Sequence, residues 1–141
     1  MILVCAGLCL AAGAAVYVRR APLDVTALHV MPAPRAAGDY SDVGGFTAIR
    51  PALSGPSALE TLSDVIANTP RTDLLAESAE MKTFVTRSRI FGFPDITTVW
   101  VIHGRGGHEI GIYGRLVYGK SDLGVNKRRI AGWLDEAVGN L

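Results

Sequence analysis

Beyond Cys9 the chain has no cysteine. Cys5 and Cys9 both fall in a stretch that also lacks charge, so the remaining residues hold no disulfide, no cysteine-ligated zinc and no thiol nucleophile. The same fact leaves the redox compartment unreadable. No sign of charge dominates either. Fourteen basic residues against 13 acidic ones give a net charge of +1, too little for long-range attraction to a polyanion. Lys127-Arg128-Arg129 is too short a basic run to change that, and no nucleic acid is expected as a partner. The familiar reactive signatures are missing as well. There is no Gly-x-Ser-x-Gly and no His-Glu-x-x-His, and Gly104-x-Gly106-Gly107 lacks the Gly-Lys-Ser/Thr ending of a phosphate loop. The expectation is a chain with no catalytic residues, no metal site and no cofactor, and thus not an enzyme.

Charge is absent from Met1 to Val18, and all 27 acidic and basic residues follow that segment. A helical rise of about 1.5 Å per residue makes it roughly 27 Å long, close to the apolar thickness of a bilayer. A cleaved signal peptide needs a basic start and a small-x-small cleavage site, and neither is present. A lipoprotein needs a small residue before its cysteine, where Val4 and Leu8 stand. An uncleaved transmembrane anchor fits best, with Tyr17 and Arg19-Arg20 at the interface. Gly7, Ala11, Ala14 and Ala15 leave a face that another helix can approach. The expected location is a bacterial inner membrane, single-pass. Arg19-Arg20 favours a cytoplasmic domain by the positive-inside bias.

Residues 19–45 read as a flexible tether, with Pro22, Pro32 and Pro34 and no regular period. The folded domain is expected to start near Phe46 and run to Leu141. Phe46–Arg50 is a short strand candidate. Ser57-Ala58-Leu59-Glu60 is a capping-box pattern, and Leu59, Leu62, Val65 and Ile66 recur at helical spacing until Asn68-Thr69-Pro70. Strand-like runs follow at Asp73–Ala79, Met81–Ile90, Thr97–His103 and Glu109–Tyr118, with Gly104–Gly107 as a hairpin turn. A last helix, from about Leu123 to Val138, has Asp122 as its N-cap and an apolar stripe of Ile130, Trp133, Leu134, Ala137, Val138 and Leu141. The expected fold is α+β: an N-terminal transmembrane helix, then an antiparallel sheet of about four or five strands with two helices packed on one face.

Thr69-Pro70-Arg71, Thr86-Arg87-Ser88-Arg89 with Gly92-Phe93-Pro94-Asp95, and Gly119-Lys120-Ser121-Asp122-Leu123-Gly124-Val125-Asn126 with Arg129-Ile130 form a pattern. It resembles the bacterial and plastid family called domain of unknown function 1499, over roughly Phe46 to Leu141. His29 with Pro32 resembles a His-x-x-Pro element of some members. The resemblance implies a small exported or membrane-attached protein and pulls the domain towards the periplasm. It implies no activity and no catalytic residues.

Charge clusters where composition does not. Between Lys82 and Arg129 nine residues are basic and three acidic. Arg87 and Arg89 are two apart on a strand candidate and share a face, and Arg115 on a later strand can join them. Three guanidinium groups on one sheet face suit a carboxylate, phosphate or lipid headgroup. Lys120 and Ser121, just before the last helix, can add donors there. Against this stands pairing of the arginines with Asp95, Asp122 and Glu109 on a solvated surface. The turns ending in Asp95 and Asp122 rhyme, and Asp122 with Asn126 spans one helical turn, as a site pair or as a cap. His103, His108 and Glu109 flank the glycine turn without a recognised metal spacing.

The leading expectation is a non-enzymatic, membrane-anchored interaction module in contact with the lipid bilayer. It would serve as accessory subunit or stabiliser of a larger inner-membrane protein complex, respiratory or photosynthetic. The alternative is a binding domain for a small anionic ligand or lipid headgroup through the arginine face. A hydrolase using Asp95 or Asp122 with a histidine needs those groups in one cleft.

Overall fold

The computed structural model describes residues 2–52 and 54–137. In chain order the elements are α1 (Ile2–Arg20), α2 (Val25–Leu28), β1 (Gly38–Asp42), β2 (Gly45–Ala52), α3 (Gly55–Ala67), β3 (Thr72–Glu77), β4 (Met81–Arg87), β5 (Pro94–Gly104), β6 (Gly107–Leu116) and α4 (Val125–Ala137). All six strands form one antiparallel sheet in the order β1-β2-β6-β5-β4-β3. The sheet therefore has six strands rather than four or five, and four helices accompany it.

Two-residue alternation sorts the side chains onto two faces. Phe46, Ala48, Phe84, Val99, Val101, Ile110 and Ile112 point to one face and are buried under Ala58, Leu59, Leu62 and Ile66 of α3 and Ile130, Trp133, Leu134 and Ala137 of α4. Each fully buried aliphatic or aromatic side chain of this kind contributes about 1.5–3 kcal/mol, which makes this layer the main source of stability. Val138 and Leu141 of the expected stripe lie outside the described residues. The start of α3 differs from the capping-box reading. Pro56 stands in the first turn, the N-cap is Ser54, and Ser57 is already helical. Pro fixes a helical φ and needs no amide partner there, so it starts the helix ahead of Ser57. Glu60 instead holds Lys82 of β4 at 2.6 Å.

The other face is closed by the N-terminal segment. Ile49, Thr83, Val85, Ile96, Thr98 and Trp100 are buried on it. The segment read as a tether supplies β1, which pairs residue for residue with β2 from Gly38↔Ile49 to Asp42↔Gly45. It also supplies α2, capped by Asp24. The His29 ring meets Thr83 Oγ1 at 2.9 Å through Nδ1, and Arg115 donates to the Leu28 carbonyl at 2.6 Å. Polar side chains without a helical period thus fasten this segment, which is why periodicity gave no sign of it.

The transmembrane reading of the N-terminus is corrected. Helix α1 ends in Arg19 and Arg20, and its last turns belong to the domain: Ala15 and Val18 are buried. Arg87 reaches the Val18 carbonyl at 3.4 Å, and Arg19 donates to the Ile90 carbonyl at 2.6 Å. Among the described residues no helix is long and apolar enough to cross a membrane. The transmembrane helix, the single-pass membrane description and the inner-membrane location fall with it. Met1, the first residue of the expected anchor, lies outside the described residues.

Candidate functional site

Three chain segments meet at the end of the sheet where β4 stops. Strand β4 ends at Arg87 because the next residues close on themselves: Ser88 N–H donates to the Phe93 carbonyl at 2.9 Å, and Gly92 N–H to the Ser88 carbonyl at 3.1 Å. Ser88 Oγ accepts from Phe93 N–H at 2.9 Å. Gly92 has φ of +75° and lies against the Arg19 side chain, with a Cβ direction aimed 2.8 Å from Arg19 Nε. Only glycine meets both conditions. The turn between α3 and β3 brings Arg71 alongside. Arg87 N–H donates to the Arg71 carbonyl at 2.9 Å, and Arg71 Nε returns to the Arg87 carbonyl at 3.1 Å.

The result is a cleft of about 340 Å³ lined by Arg19, Arg71, Asp73, Arg87, Ser88, Arg89 and Gly92. Arg19, Arg71 and Arg87 are positioned by backbone carbonyls, which fix a guanidinium without cancelling its charge. Among the described residues none of the four cleft arginines has a carboxylate within 4.0 Å, whereas Arg35, Arg50, Lys82 and Arg129 do. Asp73 is the one acidic residue in the lining. Arg71 adopts φ of +63°. A non-glycine residue held in the left-handed region costs roughly 1–2 kcal/mol, and such outliers gather at functional sites.

Of the arginines singled out in the sequence, Arg87 and Arg89 meet in this cleft and Arg115 does not. Arg115 lies across β5 on the N-terminal-segment side, where it donates to Thr98 Oγ1 at 3.1 Å and Leu28 O and stacks on Tyr113. Burial there lowers its pKa below the ordinary guanidinium range, with the Tyr113 phenol acting in the other direction. Two of its donors fasten the segment, and it lines no part of the cleft. Lys120 and Ser121 sit in the β6–α4 turn, with Ser121 Oγ accepting from Leu123 N–H at 3.3 Å. They too are outside the cleft.

Asp95, Asp122 and Asn126 come together on the helix side of the sheet, with Arg129. Asp122 caps α4, accepting from Asn126 N–H at 2.7 Å and Gly124 N–H at 3.0 Å. Burial pushes its carboxyl up, but those amides outweigh it and hold the pKa below 3.8. Asp95 accepts from Arg129 at 3.1 Å. Burial dominates at Asp95 and raises its pKa above 3.8, despite Arg129, with Asp122 adding repulsion. Asn126 is 1% exposed and presses on Gly114, where a Cβ would stand 2.8 Å from Oδ1. The rhyming turns thus serve to seat α4.

His103 and His108 do face each other, Nδ1 to Nδ1 at 3.1 Å, and His103 Nε2 meets Glu80 at 2.9 Å. Among the described residues no group of three or more His, Cys, Asp or Glu could hold a metal ion. His103 and Asp95 stand at opposite ends of β5, about 27 Å apart at the usual strand rise, so a hydrolytic centre built from both does not form. Sequence reasoning missed Arg19, assigned to a membrane interface, and Arg71 and Asp73, whose place depends on the pairing of β3 with β4. The available signal was Arg71 directly after the helix-stopping Pro70.

Comparison with curated proteins finds no match. Among solved structures, protein Ms6760 from Mycobacterium smegmatis superposes with a TM-score of 0.51 at 9% identity, covering 74% of this chain and 93% of that one. Protein CV1439 from Chromobacterium violaceum gives a TM-score of 0.37 at 12% identity, over 69% of this chain and 94% of that one. The first likeness shows a shared fold and nothing of function. Residues 33–136 match the family described as "Protein of unknown function (DUF1499)". That span includes β1 and every later strand, together with Arg87, Arg89 and the capped start of α4, and the chain belongs to this family.

Proposed function

We propose that the chain is a binding module for a small anionic ligand, held in the cleft between Arg19, Arg71, Arg87 and Arg89. The observation that carries this reading is that four arginines line one cavity and, among the described residues, none of them has a carboxylate in ion-pair range. Keeping like charges together costs free energy in the empty protein, and an oxyanion relieves it. Guanidinium donors in a fork suit phosphate or carboxylate. Ser88 in the lining accepts from the Phe93 amide, and the reading is of binding alone. The accessory-subunit reading rested on the anchor and is not carried further.

Calorimetric titration of the full chain with inorganic phosphate at low ionic strength tests the proposal. Saturable binding at one site is expected. Arg89, which makes no hydrogen bond or ion pair among the described residues, is the cleanest position to remove. A hydrogen bond to a charged group is worth about 1.5–3 kcal/mol, so Arg89→Ala should weaken binding by roughly tenfold or more with unchanged melting. Absence of saturable binding, or indifference to Arg89→Ala, would contradict the proposal.

A further inference from the structure

The loop that forms one wall of the arginine cleft also carries the most prominent apolar surface near it. Between Ser88 and Phe93, Ile90 is 73% exposed, Phe91 43% and Phe93 42%. Phe91 and Phe93 have ring centroids 6.0 Å apart, and Tyr118, itself 42% exposed, meets Phe93 edge-on at 6.2 Å. Three aromatic rings in contact, still wet on their outer sides, form a continuous ridge rather than scattered apolar residues. Such ridges mark interaction sites. Its position is fixed by the cleft itself. Gly92, between the two phenylalanines, lines the cavity, and Arg19 clamps the Ile90 carbonyl at 2.6 Å. The six-residue turn from Ser88 to Phe93 therefore supplies Ser88, Arg89 and Gly92 to the cavity lining and the rings of Phe91 and Phe93 to the apolar ridge.

We infer that the ligand of this cleft is an amphiphilic anion, with an oxyanion head among the arginines and an apolar chain or ring along Phe91, Phe93 and Tyr118. Charge complementarity selects the head, and the unburied rings select the tail. A bare inorganic anion would leave the rings wet, and a neutral amphiphile would leave four guanidinium groups without a counter-charge. The inference rests on the anion-binding reading of the same cleft, and methyl phosphate and hexyl phosphate separate the two, because they share a head and differ only in the chain.

Titrated against the full chain, hexyl phosphate should bind about tenfold tighter than methyl phosphate, the equivalent of burying about two of its extra methylenes. Phe93→Ser should remove most of that gain and leave methyl phosphate binding unchanged, with Phe91→Ser as a second variant should Phe93→Ser alter melting. Hexanol should not bind measurably. Equal affinities for the two phosphates, or a gain untouched by both serine variants, would overturn the amphiphile while leaving the anion site standing. Hexanol binding as well as hexyl phosphate would also overturn it. Binding of neither phosphate would defeat the anion site, and the inference with it.

Discussion

At the end of the sheet where β4 meets β5, the two faces treat the same residue types in opposite ways. On the helix side, the charges of Asp95, Asp122 and Arg129 are met within the protein: the carboxylate of Asp95 takes the guanidinium of Arg129, and that of Asp122 takes the amides of Gly124 and Asn126 at the start of α4. On the other side, Arg19, Arg71, Arg87 and Arg89 line a cavity in which, among the described residues, Asp73 is the only acid. Both clusters come from the same motifs, since Arg87 and Asp95 are separated by one turn. Charges that close on each other hold elements in place. Charges fixed by carbonyls and left without counter-charge are available to a ligand.

The largest effect is expected from breaking the closed cluster. Arg129→Ala leaves the nearly buried Asp95 carboxylate unpaired, and loss of one partner of a buried pair costs about 3 kcal/mol. Urea unfolding should show that loss at neutral pH and a smaller one in acid. The sign follows from Asp95's raised pKa: the folded chain binds its proton before the unfolded chain does. Stability from this group therefore falls as pH rises from 3.8 through the raised folded value.

Asp122→Ala should cost about 1 kcal/mol, the usual worth of an N-cap. The contribution of the Asp122 carboxyl itself to wild-type stability runs the other way with pH from that of Asp95. A depressed folded pKa gives stability present above 3.8 and lost as pH falls through the folded value, so wild type and variant should converge in acid. Both losses shrink in acid, so the two variants are told apart by their size at neutral pH, about 3 against about 1 kcal/mol.

Arg71→Gly sharpens the contrast from the open side. Glycine adopts φ of +63° without strain, so the variant should melt within about 1 kcal/mol of wild type, while phosphate binding weakens severalfold or more. A large loss of stability would make Arg71 a structural residue instead. The smallest effect is expected at Lys120, which lines no part of the cleft: Lys120→Ala should leave phosphate affinity unchanged and stability within about 0.5 kcal/mol.

Much of the helix-side layer was legible in the sequence, because it is written in apolar periodicity. Leu59, Leu62 and Ile66 mark α3, Ile130, Trp133 and Leu134 mark α4, and Asp122 announced the cap. The opposite face was not legible. Its cover is held by single polar contacts, His29 to Thr83 and Arg115 to the Leu28 carbonyl, which leave no period to detect. Alanine and glycine fill seven of the seventeen positions from Ile2 to Val18. Reading hydropathy alone, the sequence suggested a bilayer for a helix whose last turns pack on protein. The candidate site was half legible. Arg87 and Arg89 could be paired from strand spacing, but Arg71 joins them only through the ladder between β3 and β4, and Arg19 only through the docking of α1. Arg115 shows the converse: shared parity places it on the right side of the sheet, yet it stands against Thr98 and Leu28, outside the cleft.

The contrast between closed and open arginines can be read in one experiment. In a nitrogen-15 NMR titration of the full chain with inorganic phosphate, the side-chain Nε–H signals of Arg19, Arg71, Arg87 and Arg89 should shift together and saturate at one concentration, while those of Arg35, Arg50 and Arg129 stay in place. Uniform small shifts across all arginines, or saturation at Arg129 and Arg50 instead, would contradict the assignment of the cleft as the anion site.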